Sequence, residues 1–442
     1  MCSPGRSFTW EELACHNTET SLCVAIRGEV FDLTEFARRH PGGRDILLAS
    51  AGRDVTQLFE TYHGDDKNVI LKKFLVGTLT SNEFPTYPPP SKFWLTLRAR
   101  VHDHFTRSRR DPRYHPLALP RYALILLACG VGWYWSCVAP DVSFWTRLVV
   151  SVLTGMAQAQ VGLTILHDGS HFAITSTPWV WKLCGAAYDL ATGVSHHVWT
   201  FQHTLGHHLY TNIYGADPDV SPMPIRRLSP EQEWKPTHQG QEVVLLPLYG
   251  VMATMARVTD VTDIYVKRSV GPIRVNPIRW LDTAIFWGAK VLYLLYRWAV
   301  PIYVLGLHQA LPLLLVSDFV GSYYLAYLFA VNHAVGAVAW PVPNAKNTMD
   351  MDWATSQVAT SLDYAHGSVF WTLFSGALNY QTEHHLFPGI NQLYYPELAP
   401  IVMNTCEEFG VKYNYRDTFG EAFQGHVSYL SVMGKIPNVK VD

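Results

Sequence analysis

The sequence predicts a multi-domain chain, with a small N-terminal α+β unit followed by an all-α integral membrane unit. The latter is expected to have about four transmembrane helices and a helical cap on its water-facing side. Three observations predict this. Charged residues make up 16% of the 442, well under the ~25% usual in soluble proteins. Long uncharged apolar runs follow the first hundred or so residues. Histidine is abundant at 20, beside 15 Trp and 23 Tyr, and Trp and Tyr rings favour the headgroup level of a bilayer. The net charge of −2 excludes a nucleic-acid partner, which needs a basic face.

Residues 1–80 read as the small unit. Strand-like runs lie at Cys23–Arg27 and Glu29–Leu33, and helix-like stretches at Thr34–Arg39, Arg44–Ala51 and Thr56–Tyr62. Met1-Cys2-Ser3-Pro4-Gly5-Arg6 leads into mixed polar sequence with no apolar run, so no cleavable secretory signal is expected. The seven cysteines are scattered without a CxxC, which reads as reduced thiols rather than a disulfide framework. Residues 81–91 form a linker, since Phe84-Pro85-Thr86-Tyr87-Pro88-Pro89-Pro90 favours an extended, semi-rigid chain.

Residues 92–442 form the membrane unit. It opens with a basic segment carrying Arg98, Arg100, Arg107, Arg109, Arg110 and Arg113, which the positive-inside rule places in the cytosol. Spans are read at about 122–140, 148–167, 283–304 and 311–331. The first two carry no charge and match the ~20 residues a bilayer core requires. The second pair holds Lys290, Arg297 and Asp318, charges that are costly in a membrane unless they snorkel or pair. Two spans before His167 and two between His208 and His333 keep every histidine cluster on the side of the N-terminal unit. The apolar stretches Trp179–Val194 and Gly367–Tyr380 read as interfacial or partly embedded helices.

Two constellations carry chemistry. In the first, His40-Pro41-Gly42-Gly43 follows Phe31-Asp32-Leu33-Thr34-Glu35-Phe36, and His63 follows Ala51-Gly52-Arg53-Asp54-Val55-Thr56. This resembles the cytochrome b5 domain, which implies haem b held between His40 and His63. Iron saturated by two imidazoles has no open site for O2 and transfers electrons instead. His16 lacks such a partner and reads as structural.

The second constellation is three clusters. They are His167-Asp168-Gly169-Ser170-His171, His203-Thr204-Leu205-Gly206-His207-His208, and Gln381-Thr382-Glu383-His384-His385. HxxxH on a helix sets two imidazoles one turn apart on one face, the spacing for two nitrogens converging on one site. An adjacent third histidine lets one helix end serve two metals. Gln381, four residues before His385, is a weaker candidate, and His333 an eighth histidine. Imidazole alone leaves the metal open among Fe, Zn, Cu and Ni. HExxH is absent, which removes the common zinc protease pattern, and no pair of ExxH motifs points to a carboxylate di-iron bundle.

These boxes resemble the membrane fatty acyl desaturases over essentially the whole chain. The fused b5 domain, Gln381 at the head of the third box, Gly215-Ala216-Asp217-Pro218-Asp219-Val220 and Leu386-Phe387-Pro388 resemble the front-end members. Phe8-Thr9-Trp10-Glu11-Glu12-Leu13 and Gln160-Val161-Gly162-Leu163 look like the Δ5 enzymes of fungi and protists. The resemblance implies His167, His171, His203, His207, His208, His333, His384 and His385 as ligands of two non-haem irons. His196 and His197 depart from the pattern and read as supporting or surface residues.

The implied reaction uses O2 and two electrons per turnover to place a cis double bond in a long-chain polyunsaturated acyl chain, carried on CoA or on lipid. NADH-cytochrome b5 reductase would supply the haem with electrons, and a fused haem domain replaces a bimolecular encounter with a tethered one. The implied location is the endoplasmic reticulum membrane, multi-pass, with haem domain and boxes facing the cytosol. Regiochemistry rests on resemblance alone. It leaves Δ4, Δ6 and Δ8 (including sphingoid-base) desaturation beside Δ5, and a di-iron acyl hydroxylase beside both. A membrane-anchored electron carrier is the contrasting class, and it has no use for eight further histidines. Purified holoprotein is expected to show a low-spin bis-histidine haem spectrum and about two non-haem irons per chain; zinc, or no metal, would remove the mechanism.

Overall fold

Apolar residues of Ser21–Ile26 (β3) and Glu29–Asp32 (β4) pair as an antiparallel hairpin in the register Cys23↔Asp32 to Ile26↔Glu29. A computed structural model describes residues 5–64 and 66–435; the N-terminal reading at Met1–Pro4, including Cys2, lies outside the described residues. Arg6–Phe8 (β1), Asn17–Thr18 (β2) and Leu75–Leu79 (β5) complete a five-stranded sheet of order β1-β5-β4-β3-β2. These three strands escape the sequence reading because they are short and β5 contains Gly77. A Cβ at Gly77 would lie 2.0 Å from the Arg6 carbonyl oxygen, so β1 approaches only because glycine is there. Helices Arg44–Ser50 and Thr56–Tyr62 form where expected. The stretch Thr34–Arg39 tightens to a 3₁₀ turn at Ala37–Arg39. Asp32 accepts from both the backbone N–H and the hydroxyl of Thr34, and this local turn competes with helix.

The proline-rich segment is extended and anchored along its length. Thr86 exchanges backbone hydrogen bonds with Asn347 and Met349, and the Tyr87 hydroxyl donates to the Leu209 carbonyl at 3.1 Å. Beyond it, the Lys92–Ser108 helix buries Phe93, Trp94, Leu97, Val101 and Phe105 against the Tyr395–Phe409 helix. At the edge of that contact Arg100, and past the helix end Arg110, pair with Glu408 and Glu397 of the same partner helix at 2.6 Å each.

Among the described residues, three helices are long and apolar enough to cross a membrane: Phe144–Ser170, Gln241–Lys267 and Leu307–His333. The first and third carry the expected spans 148–167 and 311–331. They pack closely because Gly155 meets the Leu307–His333 helix, where a Cβ would lie 2.3 Å from the Ser317 carbonyl oxygen. Small residues allow such backbone approach. The expected spans 122–140 and 283–304 fall on the helix Ala118–Cys137 and on a helix over 280–305 interrupted by a π turn at Leu295–Ala299.

The Gln241–Lys267 helix escaped the sequence reading, since Pro247, Arg257 and Asp260 interrupt its apolar run. It starts at Gln241, bonded to Arg227 and Leu430. It leads into the Ser269–Arg274 hairpin, which packs on the haem unit. Its charges resolve the cost flagged for the second pair of spans. Lys290 reaches Asp260 at 2.9 Å, while Asp318 takes Arg257 at 2.6 Å and Arg297 at 3.6 Å. Lys290, Arg297 and Asp318 therefore each have an opposite partner.

The haem unit docks on the membrane unit through buried polar contacts. The Asn276 side-chain N–H groups donate to the carbonyls of Leu48, Ala49 and Ala51 at 2.7, 3.1 and 2.9 Å, while its oxygen accepts from Arg53 at 2.9 Å. Asn276→Ala leaves these groups unpaired, a cost of about 1–3 kcal/mol. The variant is expected to keep its haem spectrum but to be cleaved faster within 81–91 by limited proteolysis; an unchanged cleavage rate would refute this role.

Candidate haem cleft and metal centre

Gly42 and Gly43 shape the first site. A Cβ at Gly42 would lie 2.7 Å from Cε1 of His40, so the His40 ring lies over a bare backbone. Gly43 has φ +83° and sits where a Cβ would meet Pro178 at 2.9 Å. The signature thus serves both the ring and the docking of the two units. His40 Nδ1 donates to the Gly43 carbonyl at 3.0 Å and His63 Nδ1 to the Phe59 carbonyl at 3.1 Å. Both Nε2 atoms are therefore left for a metal, and the ring centroids stand 6.0 Å apart. Taking off the ring radii leaves about two metal–imidazole bonds of ~2 Å. Burial lowers the pKa of both rings, keeping them neutral. The surrounding cavity, about 1370 Å³, is lined by Phe36, Leu58 and Phe74 of the haem unit and by Phe172 and Trp181 of the membrane unit. These residues fit a haem.

At the second site, four separate chain segments converge. The Phe144–Ser170 helix passes through a π segment at Val161–Leu166 and ends in His167 and its neighbours. A second π segment, Thr200–His207, carries the middle cluster. The Leu307–His333 helix ends on His333, and Gln381–Leu386 carries the third. π segments are rare and recur at functional sites.

The ligand atoms fall into two main groups. His167, His171, His203 and His384 have ligand atoms all within 4.8 Å of one another, as do His207, His333 and His385. His208 lies between them, grouped with His384 and His385. His167 and His171 converge on one group as the HxxxH spacing predicts. His203 and His207 do not, which corrects that expectation for the middle cluster. Their rings stack 5.7 Å apart yet serve different groups, because the wider π turn splays the helix face. Gln381 reaches the second group through an amide N–H donated to His333 Nε2 at 2.8 Å.

Unpartnered buried atoms test whether metals fit. His171 Nε2, His385 Nε2, His208 Nδ1 and the Gln381 side-chain oxygen have no hydrogen-bond partner among the described residues. His167 and His384 face each other Nε2 to Nε2 at 3.1 Å, as do His203 and His208. Burial holds His171, His203, His208, His384 and His385 well below the usual histidine pKa, and neutral imidazole is the metal-binding form. The donor set fits a pair of metal ions.

A shell of partners orients these rings. His385 Nδ1 donates to the Gln357 side-chain oxygen at 2.6 Å and His333 Nδ1 to the Thr360 carbonyl at 2.9 Å, and His171 Nδ1 shares a hydrogen bond with the Tyr62 hydroxyl at 3.1 Å. His207 Nδ1 donates to Asp217 at 3.1 Å. Burial opposes charge on His207, but Asp217 and Asp219 outweigh it and push its pKa up to about 9; the metal-free ring therefore carries both protons near neutral pH, and a metal would take the place of the Nε2 proton while Asp217 keeps the one on Nδ1. Below the third box, the Tyr413 hydroxyl bridges Asp363 and Glu383 at 2.6 and 2.9 Å. Burial and the neighbouring Asp363 raise the pKa of Glu383 well above the usual carboxylate value.

His196 and His197 stay outside both groups. His196 pairs with Asp189 at 2.8 Å, and His16 bonds Ser21 at 2.7 Å, in keeping with supporting and structural roles. The sequence reading missed the partner shell. Asp217 stood in a motif already singled out, but nothing local marks Gln357, Thr360 or Tyr62.

A bis-histidine haem cleft docked on a buried, histidine-lined metal pocket at the ends of apolar helices defines a b5-fused membrane oxidoreductase. Residues 143–417 match the fatty acid desaturase family and residues 9–80 the cytochrome b5-like haem/steroid-binding domain. The chain is 46% identical over 438 residues, 98% of each chain, to an acyl-lipid (8-3)-desaturase of Mortierella alpina. It is 40% identical to acyl-lipid (8-3)-desaturase B of Dictyostelium discoideum, over 98% of this chain and 95% of that one. Delta(5) fatty acid desaturase A of Dictyostelium discoideum is 36% identical over the same shares. The chain belongs to the fatty acid desaturase family, as a front-end member fused to cytochrome b5, with haem and a non-haem di-iron centre as cofactors.

Asp217→Asn removes the charge that orients His207. Partners of this kind are worth about 10- to 100-fold in metal affinity. The variant is expected to lose iron to a chelator at correspondingly lower concentration, measured by elemental analysis, while His197→Ala retains wild-type iron content.

Proposed function

We propose that this enzyme introduces a Δ5 cis double bond into long-chain polyunsaturated acyl substrates. The observation that carries the desaturase chemistry is the pair of buried histidine groups with unpartnered nitrogens beside a haem cleft in the same chain. The position rests on the relatives named Delta(5) desaturases, at 36% and 34% identity. Those named (8-3)-desaturases keep Δ8 as the rival outcome.

In this reading His40 and His63 hold the haem. His167, His171, His203 and His384 hold one iron, His207, His333 and His385 the other, with His208 between them and Gln381 beside the second. When bound, the iron pair supplies O2 activation and hydrogen removal from adjacent methylenes. Gln357, Asp217 and the Thr360 carbonyl hold the ligand rings in one tautomer, and Leu163, Leu378 and their neighbours keep bulk water from the buried pocket. The Phe144–Ser170 and Leu307–His333 helices both end at the histidines, so the site lies where an apolar helix pair meets water. That suits an acyl chain whose headgroup, CoA or phospholipid, stays outside. Residues 1–80, 81–91 and 92–442 act as haem unit, linker and membrane unit. The haem unit and boxes face the cytosol at the endoplasmic reticulum, where NADH-cytochrome b5 reductase is the electron donor.

Expression in a host lacking polyunsaturates, fed 20-carbon tri- and tetraenoic acids, is expected to yield a new Δ5 double bond by product analysis. A Δ8 product would correct the position, and desaturation only on the methyl side would overturn the front-end reading. His203→Ala is expected to abolish product while leaving the haem spectrum intact.

A further inference from the structure

Tyr62 is the residue before the haem histidine His63, and its side chain leaves the haem unit altogether. Its hydroxyl meets Nδ1 of His171 at 3.1 Å. The ring lies edge-on to Phe172, with centroids 5.2 Å apart. On another side the Gly389 backbone approaches so closely that a Cβ there would lie 3.0 Å from Cε1 of Tyr62. The ring is thus clamped between the turn after the first box and the turn after the third. On the far side of His171, Nε2 is the unpartnered atom that faces the histidine group.

We infer that Tyr62 is the electron relay between the two metal sites, an assignment that rests on the proposed histidine ligands. The route is short and almost wholly bonded: the His63 ring, one peptide unit, the Tyr62 side chain, one hydrogen bond, then the His171 ring. Each transfer moves one electron, oxidising ferrous haem to ferric and reducing one ferric iron to ferrous. Two transfers serve one turnover, with the reductase restoring the haem between them. Tyr62 keeps its proton throughout and is neither oxidised nor reduced. It is a positioning and conducting residue, and its hydroxyl also holds His171 in the Nδ1–H tautomer that a metal at Nε2 requires.

Phe172 lies on the rival route, since it lines the haem cavity and adjoins His171 in sequence. The experiment pre-reduces the haem of the full-length holoenzyme. It then follows haem reoxidation by stopped-flow absorbance after mixing with O2 and a 20-carbon trienoyl substrate. Tyr62→Phe, which removes only the hydrogen bond, is expected to slow reoxidation about tenfold, and Tyr62→Leu more, with haem spectrum and iron content retained. When dithionite reduces the irons directly, a single turnover is expected to yield more product relative to the haem-driven route in both variants than in wild type. Equal loss by both routes would mean the hydrogen bond serves only ligand geometry and would overturn the relay. Wild-type reoxidation in Tyr62→Phe, or slowing only in Phe172→Leu, would overturn it as well. If Tyr62→Leu loses haem, the Phe variant decides. Wild-type reoxidation indifferent to substrate would instead refute the proposed function.

Discussion

Eight imidazoles buried in one pocket are the constraint around which this molecule is built. Their facing nitrogens have too few hydrogen-bond partners, and unpaired buried polar groups are costly. Metal coordination relieves that cost, so the pocket is stable as a binding site rather than as a core. The surroundings follow from it. Each ring that turns Nε2 inward needs an acceptor for Nδ1, and these acceptors come from wherever packing brings them: a carboxylate at Asp217, an amide at Gln357, a carbonyl at Thr360 and a phenol at Tyr62.

The haem unit depends on the same pocket through its docking. Gly43 lets Pro178 approach, Asn276 caps three carbonyls of the haem unit, and Arg279 and Lys182 pair with Asp45. The exposed ion pairs add little each; the buried amide contacts set the orientation. That orientation is what brings Tyr62 onto His171. A tethered but undocked haem unit would meet the iron site only through diffusion within its leash.

The membrane helices serve as struts. Gly155 allows the pair that ends in His167 and His333 to pack backbone to backbone, which fixes the spacing of two ligand-bearing termini. Lys290, Arg257 and Arg297 find Asp260 and Asp318, so the charges that make these segments poor spans by composition become cross-links between helices.

The sequence by itself determined what is local. Residue type and spacing marked both haem histidines and all eight others, and uncharged length marked the two cleanest apolar helices. The family resemblance rested on motifs of a few adjacent residues. Locality also set the errors. The short strands Arg6–Phe8 and Leu75–Leu79 carry too few residues for a period-2 signal, and the Gln241–Lys267 helix is masked by charges whose partners lie far along the chain. Only the tertiary structure decided how the histidines divide, because the π segment at Thr200–His207 turns His203 and His207 toward different groups despite helical spacing. It likewise decided which partner each ring meets. Those partnerships join residues such as Tyr62 and His171, 109 positions apart, and they exist only once packing has brought their elements together.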